Sequence, residues 1–137
     1  MTDSSTVAPT FRLTVDDHLM IAHSLQHEFF GPAQQLHGAT LRIRASFQRQ
    51  GLDEHGVVID IGQASGLLAQ VLEPLRYKNL DEHPDFAEKF STTEVIVQYI
   101  ALQLAEALPA GHGLKALEVE AEENPAARAG VRIQLAE

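Results

Sequence analysis

Two histidines stand where an imidazole could do chemistry, at the ends of two segments in which apolar residues alternate with polar ones. His23 has the parity of Ile21, and His37 has the parity of Ala39. In a strand, residues of equal parity share a face, so both imidazoles continue an apolar face. A buried imidazole needs a partner, and neutral imidazole is a common metal ligand. The pair therefore indicates either a metal site or two hydrogen-bonded core histidines.

The positions of the other five of the seven histidines give less reason to expect a functional site. His18 has the opposite parity and points away from that face, unless the chain bulges beside it. His27 follows His23 by four residues and could fold back towards it. The remaining three fall in predicted turns, where we expect solvated side chains: His55, His83 and His112.

Composition restricts the class of protein before any motif is used. The chain has 137 residues, which fits one domain, and a hydrophobic fraction of 45%, which is typical of a globular protein. A formal charge of −9 argues against general binding to nucleic acid. The lack of cysteine excludes disulfides and thiolate ligands, and no apolar run is long enough to cross a membrane. We expect a cytoplasmic protein with no nucleic-acid or membrane partner.

Alternating apolar residues predict the first strands. Residues 11–23 form one, with a bulge or bend expected at Asp16-Asp17, and residues 24–35 form a loop that turns at Gly31-Pro32. Residues 37–47 form a second strand of regular alternation. A turn over residues 51–56 then leads into a short strand over residues 57–61, which would close a hairpin.

Helical spacing follows, and the chain returns to strands at its end. Apolar residues on one stripe predict a helix over residues 64–75, and a second helix runs from Ser91 to about Leu108. Residues 117–121 and 131–135 alternate again, with Asn124-Pro125 in the turn between them.

The order of these elements predicts an α+β fold. Strands joined by short turns, with two helices inserted as a block, indicate an antiparallel sheet that is covered on one face by the helices. Residues 1–10 are expected to be a disordered lead, and residues 11–137 a single domain.

Six short motifs give the sequence a resemblance to a known family. Residues 21–25 (Ile-Ala-His-Ser-Leu) and 36–40 (Leu-His-Gly-Ala-Thr) resemble the 6-pyruvoyltetrahydropterin synthase and 6-carboxytetrahydropterin synthase family. In that family, Ala-Ala-His ends the first strand and His-Gly-His starts the second, and together they supply three zinc ligands. Further matches follow in order: residues 56–60 (Gly-Val-Val-Ile-Asp), 78–81 (Lys-Asn-Leu-Asp), 91–94 (Ser-Thr-Thr-Glu) and 123–125 (Glu-Asn-Pro). Order and spacing agree with the family over roughly residues 11–133.

The resemblance implies a fold, a cofactor and an assembly. The fold is the tunnelling fold (T-fold), in which an antiparallel sheet carries two helices on one face. Subunits of the family join into homo-oligomers, as a trimer-based ring or a hexamer, with active sites between them. The activity is that of a metal-dependent lyase on a dihydropterin, and the cofactor is Zn²⁺, held here by His23 and His37 with His27 as a candidate third ligand.

Departures from the family pattern fall on the catalytic positions. Ala39 stands where the third zinc histidine belongs, and Ala33 stands where the catalytic cysteine usually lies. Some relatives use a glutamate at the position of Gln34, and Arg76-Tyr77 replaces an Asp-His pair. Neither alanine nor glutamine accepts a proton near neutral pH, so the usual mechanism cannot run unchanged. Tyr77 is the candidate for proton transfer, with a packing role as the alternative.

The residues that would bind the pterin ring still match the family pattern. Glu123 matches the glutamate that grips the amino-pyrimidine edge of the pterin, where a carboxylate accepts two parallel hydrogen bonds. A solvated turn residue is the alternative for Glu123. Thr92 and Thr93 would add hydroxyl and backbone contacts to the substrate. For Glu94 we favour a structural role, because Ser91-x-x-Glu94 has the pattern of a helix capping box.

Three functions are compatible with this sequence. The first is a pterin lyase with altered acid–base groups, and the second is an oligomeric module that binds a pterin or purine without chemistry. A bare oligomeric scaffold is the third, although it would not need both histidines. The acidic charge disfavours a triphosphate substrate, unless nearby cations offset it: Arg42, Arg44, Arg76 and Lys78.

Overall fold

The computed structural model describes residues 8–136, which form one five-stranded sheet with two α-helices. The elements are β1 (Thr10–His23), β2 (His37–Gln50), α1 (Ile61–Leu72), β3 (Lys78–Asn79), α2 (Thr93–Ala107), β4 (Ala116–Asn124) and β5 (Ala127–Gln134). The strand order is β3-β1-β2-β4-β5, and every neighbouring pair is antiparallel except β1 with the two-residue β3. The predicted α+β fold is confirmed, although β3 was not predicted.

β1 and β2 form one long hairpin whose register never shifts. Each strand has fourteen residues, and the pairing ends with His23 directly opposite His37. The bulge predicted at Asp16-Asp17 is therefore wrong. Asp17 has the parity of the core face, and it is accommodated at the sheet margin because Nη2 of Arg76 lies 2.7 Å from its carboxylate.

The core lies between the helices and one face of the sheet. From residue 41 to 47 of β2 and from 117 to 121 of β4, the odd-numbered residues are buried on this face and the even-numbered ones are polar. Burial of this apolar surface is the main term that favours folding. The largest side chains that are fully buried are Phe47, Leu19, Leu41, Ile43, Leu68, Leu72, Leu75, Leu80, Ile96, Ile100, Leu104 and Leu117.

The strand predicted over residues 57–61 is absent from the described sheet. Both edges of β2 are already paired, one with β1 and the other with β4, so no edge is left for a third partner. The segment is instead an irregular loop in which Asp53 accepts two backbone N–H groups. Val58 and Ile59 are still buried, so the apolar run anchors the loop to the core.

The described part of the predicted N-terminal lead is joined to the sheet. The carbonyl of Pro9 accepts the N–H of Gly51 over 2.8 Å, and β1 begins at Thr10. The other residues of the predicted lead, 1–7, lie outside the described part of the chain. No helix within residues 8–136 has the length and apolar character that a membrane crossing would need.

Two leucines of α2 test the assignment of its buried face. Leu104 is fully buried and Leu102 is about half exposed. Leu104→Ala should lower the free energy of unfolding by about 2–5 kcal/mol, because it removes buried methyl groups and leaves a cavity. Leu102→Ala is the matched control and should change it by less than about 0.5 kcal/mol. Urea denaturation followed by circular dichroism measures both, and equal losses would contradict the assigned face.

Candidate functional site

The open end of the β1–β2 hairpin brings the two predicted histidines together. His23 is the last residue of β1, His37 is the first of β2, and their ring centroids lie 4.6 Å apart. His23 is buried and His37 is half-buried. Both therefore lie at the sheet end as the parity of the sequence predicted.

Hydrogen bonds fix which nitrogen of each ring faces outward. Nδ1 of His23 lies 2.9 Å from the carbonyl oxygen of Ser91, and Nδ1 of His37 lies 2.8 Å from that of Gln35. A carbonyl oxygen can only accept, so each Nδ1 carries the proton and donates it. The lone pair is then left on Nε2 in both rings. Metal-ligating histidines usually have this arrangement, in which a carbonyl or carboxylate holds the nitrogen that does not bind the metal.

The protonation of His23 is set mainly by its burial. Burial lowers the pKa of His23, and the neighbouring His37 lowers it further. The bond to Ser91 and the charges of Asp81 and Glu123 oppose this effect, but the net shift is downward. A lowered pKa favours the neutral imidazole, which is the form that can ligate a metal.

The segment that precedes α2 differs from the sequence prediction. Thr92, not Ser91, is the N-cap of α2, and its hydroxyl accepts the N–H of Val95. The capping box predicted for Ser91 and Glu94 is therefore wrong. Ser91 is buried, and its hydroxyl lies 3.0 Å from Nδ1 of His23. The serine contacts this imidazole and does not cap the helix, because a buried imidazole needs polar partners.

Glu123 lies at an irregularity in the β4–β5 hairpin. Glu122 pairs with Arg128, but Asn124 pairs with Ala127, so Glu123 is an extra residue on β4. Such bulges change the direction of a side chain at the end of a sheet. The Glu123 carboxylate accepts a hydrogen bond from the hydroxyl of Thr93, the first residue of α2. A side chain of α2 thus orients the carboxylate.

One cavity joins the two histidines to Glu123. Its volume is about 390 Å³, within the range of small-molecule sites. It collects all the predicted metal and substrate residues, and the sequence did not predict that Glu94 and Arg128 would join them. The lining residues are His23, Leu25, Ala33, His37, Thr92, Thr93, Glu94, Glu123, Ala127, Arg128 and Ala129.

Two other candidates are not brought into this cavity. Tyr77 is 78% exposed and has a positive φ of 58°, and its N–H donates to the carbonyl of Met20 at the edge of β1. Nδ1 of His27 accepts the N–H of Phe29, so its Nε2 carries the proton. His27 in this arrangement has no lone pair to offer, and it does not fit the third metal ligand.

The four cations that the sequence offered for a phosphate do not line the cavity either. Arg42 pairs with Asp16, and Arg44 pairs with Glu120 on the outer face of the sheet. Arg76 pairs with Asp17, and Lys78 lies on β3. Among the described residues, Arg128 is the cation at the cavity, and its guanidinium donates to the carbonyl of Pro125.

Two other features lie at the opposite end of the sheet. A cavity of about 460 Å³ is formed by residues 111–115 with Gln134 and Leu135, and the titratable residues among these are His112 and Lys115. In residues 8–136, one cluster has three metal-ligand atoms within 4.8 Å: Asp53, Glu54 and His55. Glu54 and His55 are largely exposed on a turn, where such groups commonly bind nothing.

Comparison with known proteins gives a matching family and similar folds. The sequence matches the family model described as 6-pyruvoyl tetrahydropterin synthase over residues 12–134. The structure is similar to 6-pyruvoyl tetrahydropterin synthase from Caenorhabditis elegans, with a TM-score of 0.81 and 21% identity over 94% of this chain and 99% of that chain. The Plasmodium vivax enzyme gives a TM-score of 0.79 and 18% identity over 93% and 99%.

A more distant likeness supports the same fold. Dihydroneopterin aldolase from Burkholderia thailendensis, bound to guanine, gives a TM-score of 0.52 and 14% identity over 96% of this chain and 95% of that chain. At these identities the solved structures show the fold alone. A search of curated proteins by sequence gives no match.

Histidine tautomers give a direct test of the site geometry. In metal-free protein at about pH 8, where an ordinary imidazole is neutral, His23 and His37 should carry their proton on Nδ1. The control histidines should carry it on Nε2, because each accepts a backbone N–H at Nδ1: His27, His83 and His112. Long-range ¹H–¹⁵N correlation spectra of the rings distinguish the two forms. A proton on Nε2 of His23 would contradict the assigned orientation.

Proposed function

The chain belongs to the 6-pyruvoyl tetrahydropterin synthase family, and from that premise we propose that it is a zinc-dependent lyase that acts on a dihydropterin with altered acid–base residues. The family and the fold support a tetrahydropterin synthase-like function. The bound metal, the substrate and the roles of individual residues are what we propose beyond the family.

One observation supports a bound metal. In two adjacent imidazoles Nδ1 is hydrogen-bonded to a carbonyl, so Nε2 has a lone pair that can bind an ion. Neutral imidazole nitrogen is a preferred donor for zinc. His23 and His37 would hold the ion. Two imidazoles are one fewer than the three protein ligands usual in catalytic zinc sites, since Ala39 and His27 contribute none. We therefore expect zinc to bind more weakly than in a complete site.

Zinc, when bound, would polarise oxygen atoms of the substrate side chain and favour loss of a neighbouring proton. At the other side of the cavity Glu123 would accept the N–H groups of the amino-pyrimidine edge, which two parallel hydrogen bonds to a carboxylate recognise. The hydroxyl of Thr93 supports this role because it already holds the Glu123 carboxylate. The hydroxyl of Thr92 caps α2 and its carbonyl accepts the N–H of Ile96, so the backbone N–H of Thr92 is the group that would contact the ring.

Tyr77 is proposed to transfer a proton across a subunit boundary, since it does not line the cavity of its own chain. The described sheet supports assembly into a homo-oligomer. β5 is an edge strand, and β1 has a partner beyond β2 only at Ile21 and Ala22, where it meets β3. Unpaired strand edges and exposed aromatic side chains are features of interfaces, and Phe29 and Tyr77 are 82% and 78% exposed.

A non-catalytic module that binds a pterin or purine is the second candidate. The observation in its favour is that Ala33 lines the cavity where the resembling family has its catalytic cysteine. Gln34 does not replace it, because its amide donates to the carbonyl of Gly31. Such a module would retain the contacts of Glu123 and Thr93 without turnover.

The zinc content of the purified protein tests whether His23 and His37 bind this metal. Wild-type protein dialysed after zinc supplementation should retain about one ion per chain, and His23→Ala or His37→Ala should weaken binding by at least about 100-fold, because a single imidazole remains. His112→Ala, which changes a half-buried histidine far from the cavity, is the matched control and should bind like the wild type. Metal analysis and a competition titration provide the numbers. If the wild-type protein contains no metal after this treatment, zinc has no place in the proposed function.

Turnover of dihydroneopterin triphosphate separates the enzyme from the module. An enzyme should form product, and Tyr77→Phe should lower kcat by about 100-fold or more, which is typical for loss of a proton-transfer group. Tyr99→Phe is the matched control: Tyr99 is the other tyrosine and its hydroxyl donates to Asp85 outside the cavity. Product analysis by chromatography provides the rates. An unchanged kcat in Tyr77→Phe would assign Tyr77 to packing.

Binding without product would identify the module instead. In that case a dihydropterin should still bind saturably, and Glu123→Gln should weaken it by about tenfold, because a charge-assisted hydrogen bond is lost. Glu118→Gln, on the outer face of β4, should bind as the wild type does.

A further inference from the structure

The lysines and arginines of the chain lie mostly away from the cavity that joins the histidines to Glu123. The chain has ten of these cations, and all ten fall within residues 8–136. Of these described cations Arg128 is the one that lines the cavity, beside the carboxylates of Glu94 and Glu123. Within residues 8–136 the Glu94 carboxylate has no hydrogen-bond or ion-pair partner. The described side chains thus give the cavity more negative than positive charge when its imidazoles are neutral.

The charge of Arg128 is partly offset by its own neighbours. Nη2 of its guanidinium donates to the carbonyl of Pro125 over 3.2 Å and lies 3.7 Å from Oε1 of Glu122. Arg128 is also exposed, and water weakens the attraction of an exposed charge. A cation in this position can balance one charge of a ligand, whereas a triphosphate carries several.

Three further arginines are held by carboxylates outside the cavity. The pairs, with N–O distances of 2.7, 2.9 and 2.7 Å, are Arg42 with Asp16, Arg44 with Glu120 and Arg76 with Asp17. To bind a phosphate chain, any of these arginines would have to leave its carboxylate. Lys78 and Lys89 are exposed on β3 and in the loop before α2, and neither lines the cavity.

The remaining four cations lie further along the sheet, around Gln48. This residue is eleven positions after His37 on β2, which is roughly 36 Å at about 3.3 Å per residue. Arg132 is the nearest of the four to the cavity, but it follows Arg128 by four residues, roughly 13 Å, and its guanidinium donates to Gln48. Strand pairing, chain sequence or a hydrogen bond places all four beside Gln48: Arg12, Arg49, Lys115 and Arg132.

The N-terminus of α2 faces the cavity, and a helix N-terminus favours a negative charge. Carboxylates of the chain already take that place. Glu94 is in the first turn of α2, and Glu123 accepts the hydroxyl of Thr93, the first residue of the helix. Both carboxylates would repel a phosphate at the same position, because like charges repel strongly in a partly enclosed site.

We propose that the cavity selects a dihydropterin that has no phosphate chain, so the substrate class is a neutral dihydropterin with hydroxyl groups on its side chain. The inference rests on the proposed function, because it takes the pterin ring to be the group that Glu123 binds. The ring N–H groups would contact Glu123, and the side-chain hydroxyls would face the two histidines. A phosphate chain would meet two carboxylates and one partly paired arginine.

Dihydroneopterin and dihydroneopterin triphosphate test the selection, because they differ in the phosphate chain alone. With the intact assembled protein, isothermal titration calorimetry should give a Kd at least about tenfold lower for dihydroneopterin. The ratio is expected with zinc and after chelation, since the ion would contact side-chain oxygens that both ligands have. Any cation that a second copy brings to the cavity is included in this measurement. Equal or tighter binding of the triphosphate would overturn the proposal.

Salt dependence gives the sign of the interaction. Raising NaCl from about 50 to about 500 mM screens charges, so a repelled triphosphate should bind no more weakly at high salt. A triphosphate held by cations would instead lose affinity by about tenfold or more, and that result would contradict the assigned charge of the cavity.

Ala127→Lys should weaken the selection. Ala127 is exposed, lines the cavity and is the first residue of β5, so a longer side chain fits there. The added cation should tighten triphosphate binding by about tenfold and change the Kd of dihydroneopterin by less than about twofold. Ala127→Gln is the matched control, because it adds length without charge, and it should retain the wild-type ratio. The same ratio in both variants would show that charge does not control the selection, which would overturn the proposal.

Product formation tests the proposed function, and the ratio of the two Kd values tests the selection. Preference for dihydroneopterin without turnover supports the selection and identifies the binding module. Turnover with a preference for the triphosphate supports the lyase and overturns the selection alone. Protein that binds neither ligand overturns both.

Discussion

Fourteen residues of β1 pair in unbroken register with fourteen of β2, and the functional end of the molecule depends on that register. A shift of one residue would turn every side chain to the opposite face of the sheet. The buried apolar residues of β1 and β2 hold the register, because any slip would expose them to water. His23 and His37 are the last pair of this ladder, so the packing energy of the core also places two imidazoles beside each other. The positions of the histidines are thus a consequence of the fold.

Three consecutive residues before and at the start of α2 connect the two sides of the cavity. Ser91 holds the ring of His23, Thr92 caps the helix, and Thr93 donates to Glu123. The histidine side of the cavity and the Glu123 side are therefore attached to the same helix end. A displacement of this end would move both the imidazole and the carboxylate. This arrangement explains why Ser91 and Thr93 are buried at the edge of an otherwise apolar core.

The charge distribution around the cavity restricts what it can bind. The chain has a formal charge of −9, and Glu94 and Glu123 both line the cavity. Most nearby arginines are paired with carboxylates on the outer face or the edge of the sheet, as Arg44 is with Glu120 and Arg76 with Asp17. A ligand with N–H donors suits such a site better than a ligand with several phosphates, because like charges repel in a partly enclosed cavity. Arg128, which lines the cavity, is the described cation that could attract a phosphate there.

The alternation of apolar residues in the sequence was sufficient to determine β2, the core face of β1 and the parity of His23 and His37, because strand geometry has a strict period of two. The motif order also determined the family. Long-range packing decided the rest. Residues 57–61 have the composition of a strand but find both edges of β2 occupied, and a capping pattern at Ser91 gave way to Thr92 because a buried imidazole sixty-eight residues away needs the serine. The orientation of Nε2, the separation of Tyr77 from the cavity and the freedom of Glu94 likewise depend on contacts between distant segments, which a local pattern does not encode.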